Sequence, residues 1–177
     1  MSAGGVDVVV SGGRIVTATD VVEADVVIKD GRIAAIGPAS LLRGSADRVI
    51  DATGKYVLPG LIDCHLHIGP EYDDWRTAPL AAARTGLTTL LPFVVYDEGE
   101  SLPAAVKRLR EEAESLSVLD FGMHMILNHE PHILDGLAAA AGLGVTSFKL
   151  FMTYKKRPKR MVSDEFIAKT MRLGRFL

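Results

Sequence analysis

The most restrictive feature of the sequence is a change of pattern near residue 51. Before it the chain is a series of short β-branched runs, Val6 to Val10, Arg14 to Ala18, Val21 to Lys29, Arg32 to Ile36 and Arg48 to Asp51. Such residues suit a pleated, half-buried surface better than a helix. Gly12-Gly13 and Asp30-Gly31 supply the positive φ angles of tight hairpin turns. Residues 1–56 therefore predict a small antiparallel sheet. Beyond residue 51 apolar strand-like segments alternate with helical ones, so residues 57–177 predict repeated β-α units with parallel strands.

In this second part, strands are expected at Leu61 to His67, Thr88 to Val95, Phe121 to Asn128 and Thr146 to Met152. Glu100 to Ser117 places Leu102, Ala105, Val106, Leu109, Ala113 and Leu116 at helical spacing, with charge on the opposite face. Shorter helical patterns cover Pro131 to Gly142 and Ser163 to Leu173. In the second of these Ser163 is the expected N-cap, and Asp164 and Glu165 sit in the positive first turn. Met171 to Leu177 continues helically with no stop signal. About four β-α units fall short of the eight strands that close a TIM-type barrel. The expected fold is thus α/β, a truncated first half of such a barrel following the N-terminal strands.

Composition narrows the functional classes. With 48% hydrophobic and 24% charged residues the chain can bury an ordinary globular core. A formal charge of -2 gives no electrostatic reason to expect a nucleic-acid or membrane partner. One cysteine, Cys64, and a start without a secretory signal make a reducing cytoplasm the expected compartment. The exception to the charge balance is Lys155-Lys156-Arg157-Pro158-Lys159-Arg160. No aromatic residues interleave with it to stack on bases, so it is expected to be a solvated loop.

Two segments carry chemistry. In Asp63-Cys64-His65-Leu66-His67 the strand period of two puts Asp63, His65 and His67 on one face. Two imidazoles can then converge on a zinc ion, with Asp63 orienting a ligand from behind, although His-x-His also occurs as an ordinary surface or core pair. Pro59-Gly60 precedes this strand and the histidines lie at its C-terminal end, where β/α barrels place their active sites. The second segment is Thr146-Ser147-Phe148-Lys149-Leu150-Phe151-Met152, a lysine within an apolar strand. Burial would push it toward the neutral, nucleophilic amine. Alternatively the side chain snorkels from the strand end.

Leu58 to His67 resembles the first barrel strand of the amidohydrolase superfamily, and Ala24 to Ile33 is similar to that family's N-terminal β-sandwich. Ser147 to Lys155 resembles the fourth-strand motif of dihydropyrimidinases and D-hydantoinases. Asp73-Asp74-Trp75, Gly86-Leu87-Thr88-Thr89 and Phe121-Gly122-Met123-His124 agree with the same family. The resemblance implies a hydrolase that opens cyclic amides of the dihydropyrimidine or hydantoin type. It implies two zinc ions bridged by carbamylated Lys149, with His65 and His67 as further ligands. Tyr154 would hydrogen-bond the substrate carbonyl as oxyanion charge develops. It also implies a homotetramer. His124 matches none of the family's ligands and is expected to pack or hydrogen-bond, and His129 and His132 read as loop residues. The family's two other ligand histidines and its general-base aspartate have no counterpart in these residues, so the chain alone is expected to be inactive. Two other readings remain open: a non-catalytic relative of the collapsin-response kind, which retention of His65, His67, Lys149 and Tyr154 argues against, and a dihydroorotase or allantoinase.

Overall fold

A computed structural model describes residues 5–38, 45–157 and 159–174. Pro158 of the basic run and residues 175–177 of the expected helical continuation lie outside them. The chain divides into two compact units, Met1–Pro59 and Gly60–Leu177. The architecture is mixed α/β.

The first unit is one sheet of β1 (Val6–Val16), β2 (Val21–Lys29), β3 (Arg32–Gly37), β4 (Ala46–Asp51) and β5 (Tyr56–Val57). Its order is β3-β2-β1-β4, with β5 also on β1. β1, β2 and β3 form an antiparallel meander, whereas β4 and β5 run parallel to β1. The sheet is therefore mixed and not purely antiparallel. Asp30 and Gly31, with φ of 51° and 69°, form the expected tight turn between β2 and β3. Gly12-Gly13 does not. There β1 continues through a bulge, where the register with β2 shifts between Val10 and Gly13. Gly12 has a φ of 76°, and its N–H donates to the Asp25 carboxylate at 2.8 Å. That bond bends the strand without reversing it. Val6, Val9 and Val27 are buried together beneath the sheet.

The second unit contains β6 (Leu61–Asp63), α1 (Thr77–Ala83), β7 (Leu87–Leu90), β8 (Phe93–Val94) and α2 (Leu102–Leu116). It continues with β9 (Asp120–Phe121), β10 (His124–Ile126), a 3-10 helix (Pro131–Gly136), α3 (Leu137–Gly142), β11 (Phe148–Lys149) and α4 (Asp164–Gly174). Its strands pair in parallel as two sets, β6-β7-β9 and β8-β10-β11. The expected strands are present in their expected order but each is shorter or stepped. Pro92, which has no N–H to donate, separates β7 from β8. Gly122 separates β9 from β10 at a point where a Cβ would lie 2.4 Å from the Leu91 side chain. The strand expected over 61–67 stops at Asp63, because the Asp63 carboxylate accepts the His65 backbone N–H at 2.9 Å and turns the chain. His67 then rejoins by a single bridge to Phe93.

α2 buries Leu102, Ala105, Val106, Leu109 and Ala113, the face its spacing predicted. The Ser163 hydroxyl accepts the Phe166 N–H at 3.2 Å, as expected of the α4 cap. α1 was not signalled by periodicity. It is started by the Asp74 carboxylate, which accepts the Arg76 and Thr77 N–H groups at 2.8 and 2.7 Å. These bonds favour the anion and hold Asp74 below the usual carboxylate range. The main core gathers Trp75, Val94, Tyr96, Met125, Leu127, Ile133, Val145 and Phe166. Among the described residues no helix is long and apolar enough to cross a membrane.

Gly60 shows why a glycine precedes β6. A Cβ there would lie 2.2 Å from Thr88 Cγ2 and 2.7 Å from Thr88 Cβ. Thr88 is β-branched and stiff, so it has little freedom to yield. Gly60→Ala is expected to destabilise the chain by about 1–3 kcal/mol. Adding Thr88→Gly should recover much of the clash component. Urea melts of the single and double variants check this, and a double variant no more stable than Gly60→Ala would contradict the steric account.

Candidate active site

The Phe93 ring on β8 is the floor of the site. His65, His67 and His124 have ring centroids 5.0, 5.4 and 4.9 Å from it, and Lys149 Nζ lies 3.9 Å from its centroid. Four nitrogen-bearing side chains from three strand ends thus meet on one aromatic ring. His65 and His67 have centroids 6.2 Å apart. An imidazole centroid lies about 3.2 Å from an ion bound at about 2.1 Å, so two rings sharing an ion stand at most about 6.4 Å apart. That limit is the linear arrangement; at the tetrahedral angle the centroids would stand about 5.2 Å apart, so the two rings are neighbours but not set for a tetrahedral ion.

His67 Nδ1 is buried and, among the described residues, has no hydrogen-bond partner. Burying a polar nitrogen without a partner costs free energy unless something else binds there. Burial first, then the positive charge of Lys149, then His65 and Arg160, hold His67 below the usual imidazole range. Lys149 is half-buried. Its amine is also held below its ordinary value, by burial and then by Arg160. Both shifts favour the neutral form, which for imidazole is the metal-binding form and for an amine the nucleophilic one. Among the described residues no three His, Cys, Asp or Glu side chains gather at one point. The residues present fit a metal only if Lys149 contributes as a carbamate.

Asp63 binds the His65 backbone N–H. Tyr154 is exposed, has a φ of 70°, and packs edge-on against Phe151 with centroids 5.2 Å apart. The Phe151 ring is itself 5.0 Å from Lys149 Nζ. His124 stacks on Phe93 and hydrogen-bonds Ser147 Oγ through Nδ1. His132 sits in the 3-10 helix and not in a loop, with Nε2 3.8 Å from Glu130.

A cleft of about 370 Å³ opens beside His67, lined also by Tyr72, Phe93, Tyr96, Asn128 and Arg160. Burial raises the Tyr96 hydroxyl to about 12, so it stays protonated, and it accepts the Asn128 N–H at 3.1 Å. Sequence reasoning did not single out Phe93 or Glu130, and it set Arg160 aside with the rest of the basic loop. Phe93 is one more apolar residue of a strand, and Glu130 and Arg160 acquire meaning only from partners about 30 residues away.

No protein-family model matches the chain. It is 40% identical over 172 residues to a D-hydantoinase of Ralstonia pickettii, covering 93% of this chain and 36% of that protein. It is 32% identical over 157 residues to a dihydropyrimidinase of Rattus norvegicus, covering 82% of this chain and 30% of that protein. A solved D-hydantoinase structure superposes with a TM-score of 0.86 at 39% identity, over 96% of this chain and 38% of that one. A dihydropyrimidinase structure from Brevibacillus agri gives a TM-score of 0.83 at 35% identity, with the same coverages. The chain therefore spans 30–38% of the length of these relatives. Over the N-terminal part that it spans, the chain matches D-hydantoinases and dihydropyrimidinases in both sequence and fold.

Proposed function

We propose that residues 60–177 are the first half of a TIM-type barrel from a hydrolase that opens cyclic amides, with a zinc site on His65, His67 and carbamylated Lys149. The observation that carries this reading is the meeting of His65, His67 and Lys149 on the Phe93 ring, with His67 Nδ1 buried and without a partner among the described residues.

The carbamate follows from the environment of Lys149. Its neutral amine attacks the carbon of carbon dioxide; a C–N bond forms as one C=O π pair moves onto oxygen, and the nitrogen loses a proton to solvent, leaving a carbamate anion. The amine becomes an oxygen donor. His65, His67 and the carbamate would hold the zinc, which when bound would supply Lewis-acid polarisation of the amide carbonyl. The Tyr154 hydroxyl donates to the carbonyl oxygen as negative charge develops on it. Asp63 acts through the backbone: by fixing the His65 peptide it sets the imidazole's position. The residues that complete proton transfer in the resemblance are outside those of this chain, so the chain is proposed to work with the remainder of such a fold.

After exhaustive dialysis the chain is expected to keep about one zinc. The His65→Ala, His67→Ala double variant should keep almost none. Equal zinc in the two, measured by elemental analysis, would remove this site.

A further inference from the structure

The basic run after β11 is not uniformly solvated. Lys159 Nζ bonds both Glu98 and Glu130, the latter at 2.9 Å with its carboxylate buried, and the Lys159 carbonyl accepts the His129 N–H at 2.7 Å. The two carboxylates stabilise its charged form strongly. One residue of the loop is thereby pinned to the end of β10, and its charge is answered twice over.

Arg160 follows directly. Its guanidinium lies 5.0 Å from the Phe151 ring centroid and donates to the neutral Asn128 Oδ1 at 3.3 Å. Among the described residues no ion pair joins it to a carboxylate. Arg157 lies 5.5 Å from the Tyr154 ring and lines the same cleft. Glu71 is the one acidic side chain of that lining, so the two guanidiniums leave it positive. A cleft of this size takes a small ring with a substituent.

We propose that Arg160, with Arg157, makes the cleft beside His67 a subsite for a carboxylate carried on the substituent of a cyclic amide. This inference rests on the hydrolase reading above. A guanidinium offers five N–H donors in a planar fork that matches a carboxylate with two parallel bonds. Lys159 holds the loop in place beforehand, so less ordering remains to be done when the ligand arrives.

The test compares hydantoin-5-acetate with hydantoin-5-acetamide, which has nearly the same shape and no charge. Binding of both to the zinc-supplemented 177-residue chain is measured by calorimetry, and zinc is assayed in the same samples. The acetate is expected to bind about tenfold more tightly, a preference that 0.5 M salt reduces. Arg157→Gln, Arg160→Gln should erase the preference, while Lys156→Gln on the same loop keeps it; circular dichroism confirms that each variant is folded. Equal affinity for the two ligands, binding of neither, or a preference that survives in the double arginine variant would overturn the inference. Zinc content reports separately on the hydrolase reading. Equal affinities in a chain that retains zinc sink the subsite alone, whereas a chain that retains none sinks the metal site.

Discussion

Combined with the remaining part of a D-hydantoinase relative, the chain is expected to hydrolyse hydantoin or dihydrouracil, and Lys149→Ala to lower that activity by at least about 10²- to 10⁴-fold. That range is what removal of a positioned acid-base group costs, and here a metal ligand is lost as well. Lys149 lies on the short strand β11, with Nζ over Phe93, in surroundings that favour its neutral amine. Alanine offers no atom on which a carbamate can form. Lys156→Ala, on the exposed loop, should leave turnover within about twofold, as expected of a surface change. The unassisted 177-residue chain should show no turnover. Turnover by the chain alone, or a Lys149→Ala complex as active as its parent, would place the catalytic centre elsewhere. A fully folded, zinc-loaded complex without activity would instead favour the non-catalytic kind of relative.

Trp75→Ala is expected to produce the largest loss of stability. Trp75 is 1% exposed and packs on Phe121, with ring centroids 5.2 Å apart. Deleting so large a buried side chain costs about 3–5 kcal/mol, because the surrounding core collapses only partly into the void. Against a typical total of about 5–15 kcal/mol this is a large fraction. For an m-value of about 2 kcal/mol/M, the urea midpoint should fall by roughly 2 M. Trp75 is the only tryptophan, so the melt has to be followed by circular dichroism. Trp75→Phe should lose clearly less. A midpoint shift under about 0.5 M for the alanine variant would show that the core does not depend on this ring. The residue also bears on the site: it directly follows Asp74, whose carboxylate starts α1, and it anchors the segment that brings Tyr72 against His67.

Local signals were legible where a few neighbouring residues decide the outcome. The Asp30-Gly31 turn, the buried face of α2 and the Ser163 cap each follow from steric or hydrogen-bonding preferences within one short window. Gly12-Gly13 shows the limit. Two glycines permit a turn or a bulge, and the choice was made by Asp25, 13 residues away. The parallel pairing of β4 and β5 with β1 is likewise a long-range outcome that no strand pattern encodes. In the site, the metal-type residues were recognisable by spacing and resemblance. Their common aromatic floor was not, since Phe93 is chemically silent until its neighbours are known. The basic run was correctly set apart as a loop, but its division into one pinned lysine and two cleft-lining arginines depends on Glu98, Glu130 and Asn128.

The arrangement around β1 also fixes an order of events during synthesis. β1 pairs with β2, and β2 with β3, within the first 37 residues, yet the other edge of β1 is completed only by residues 46–57. A ribosome adding about 5–20 residues per second exposes the meander for roughly one to a few seconds before that second edge has a partner. During that interval the nascent chain carries a formed hairpin pair beside an open row of backbone donors and acceptors on β1. The bulge at Gly12-Gly13 lies along that row. By bending β1 it interrupts the flat edge on which a neighbouring nascent chain could pair, before β4 and β5 arrive to cover it.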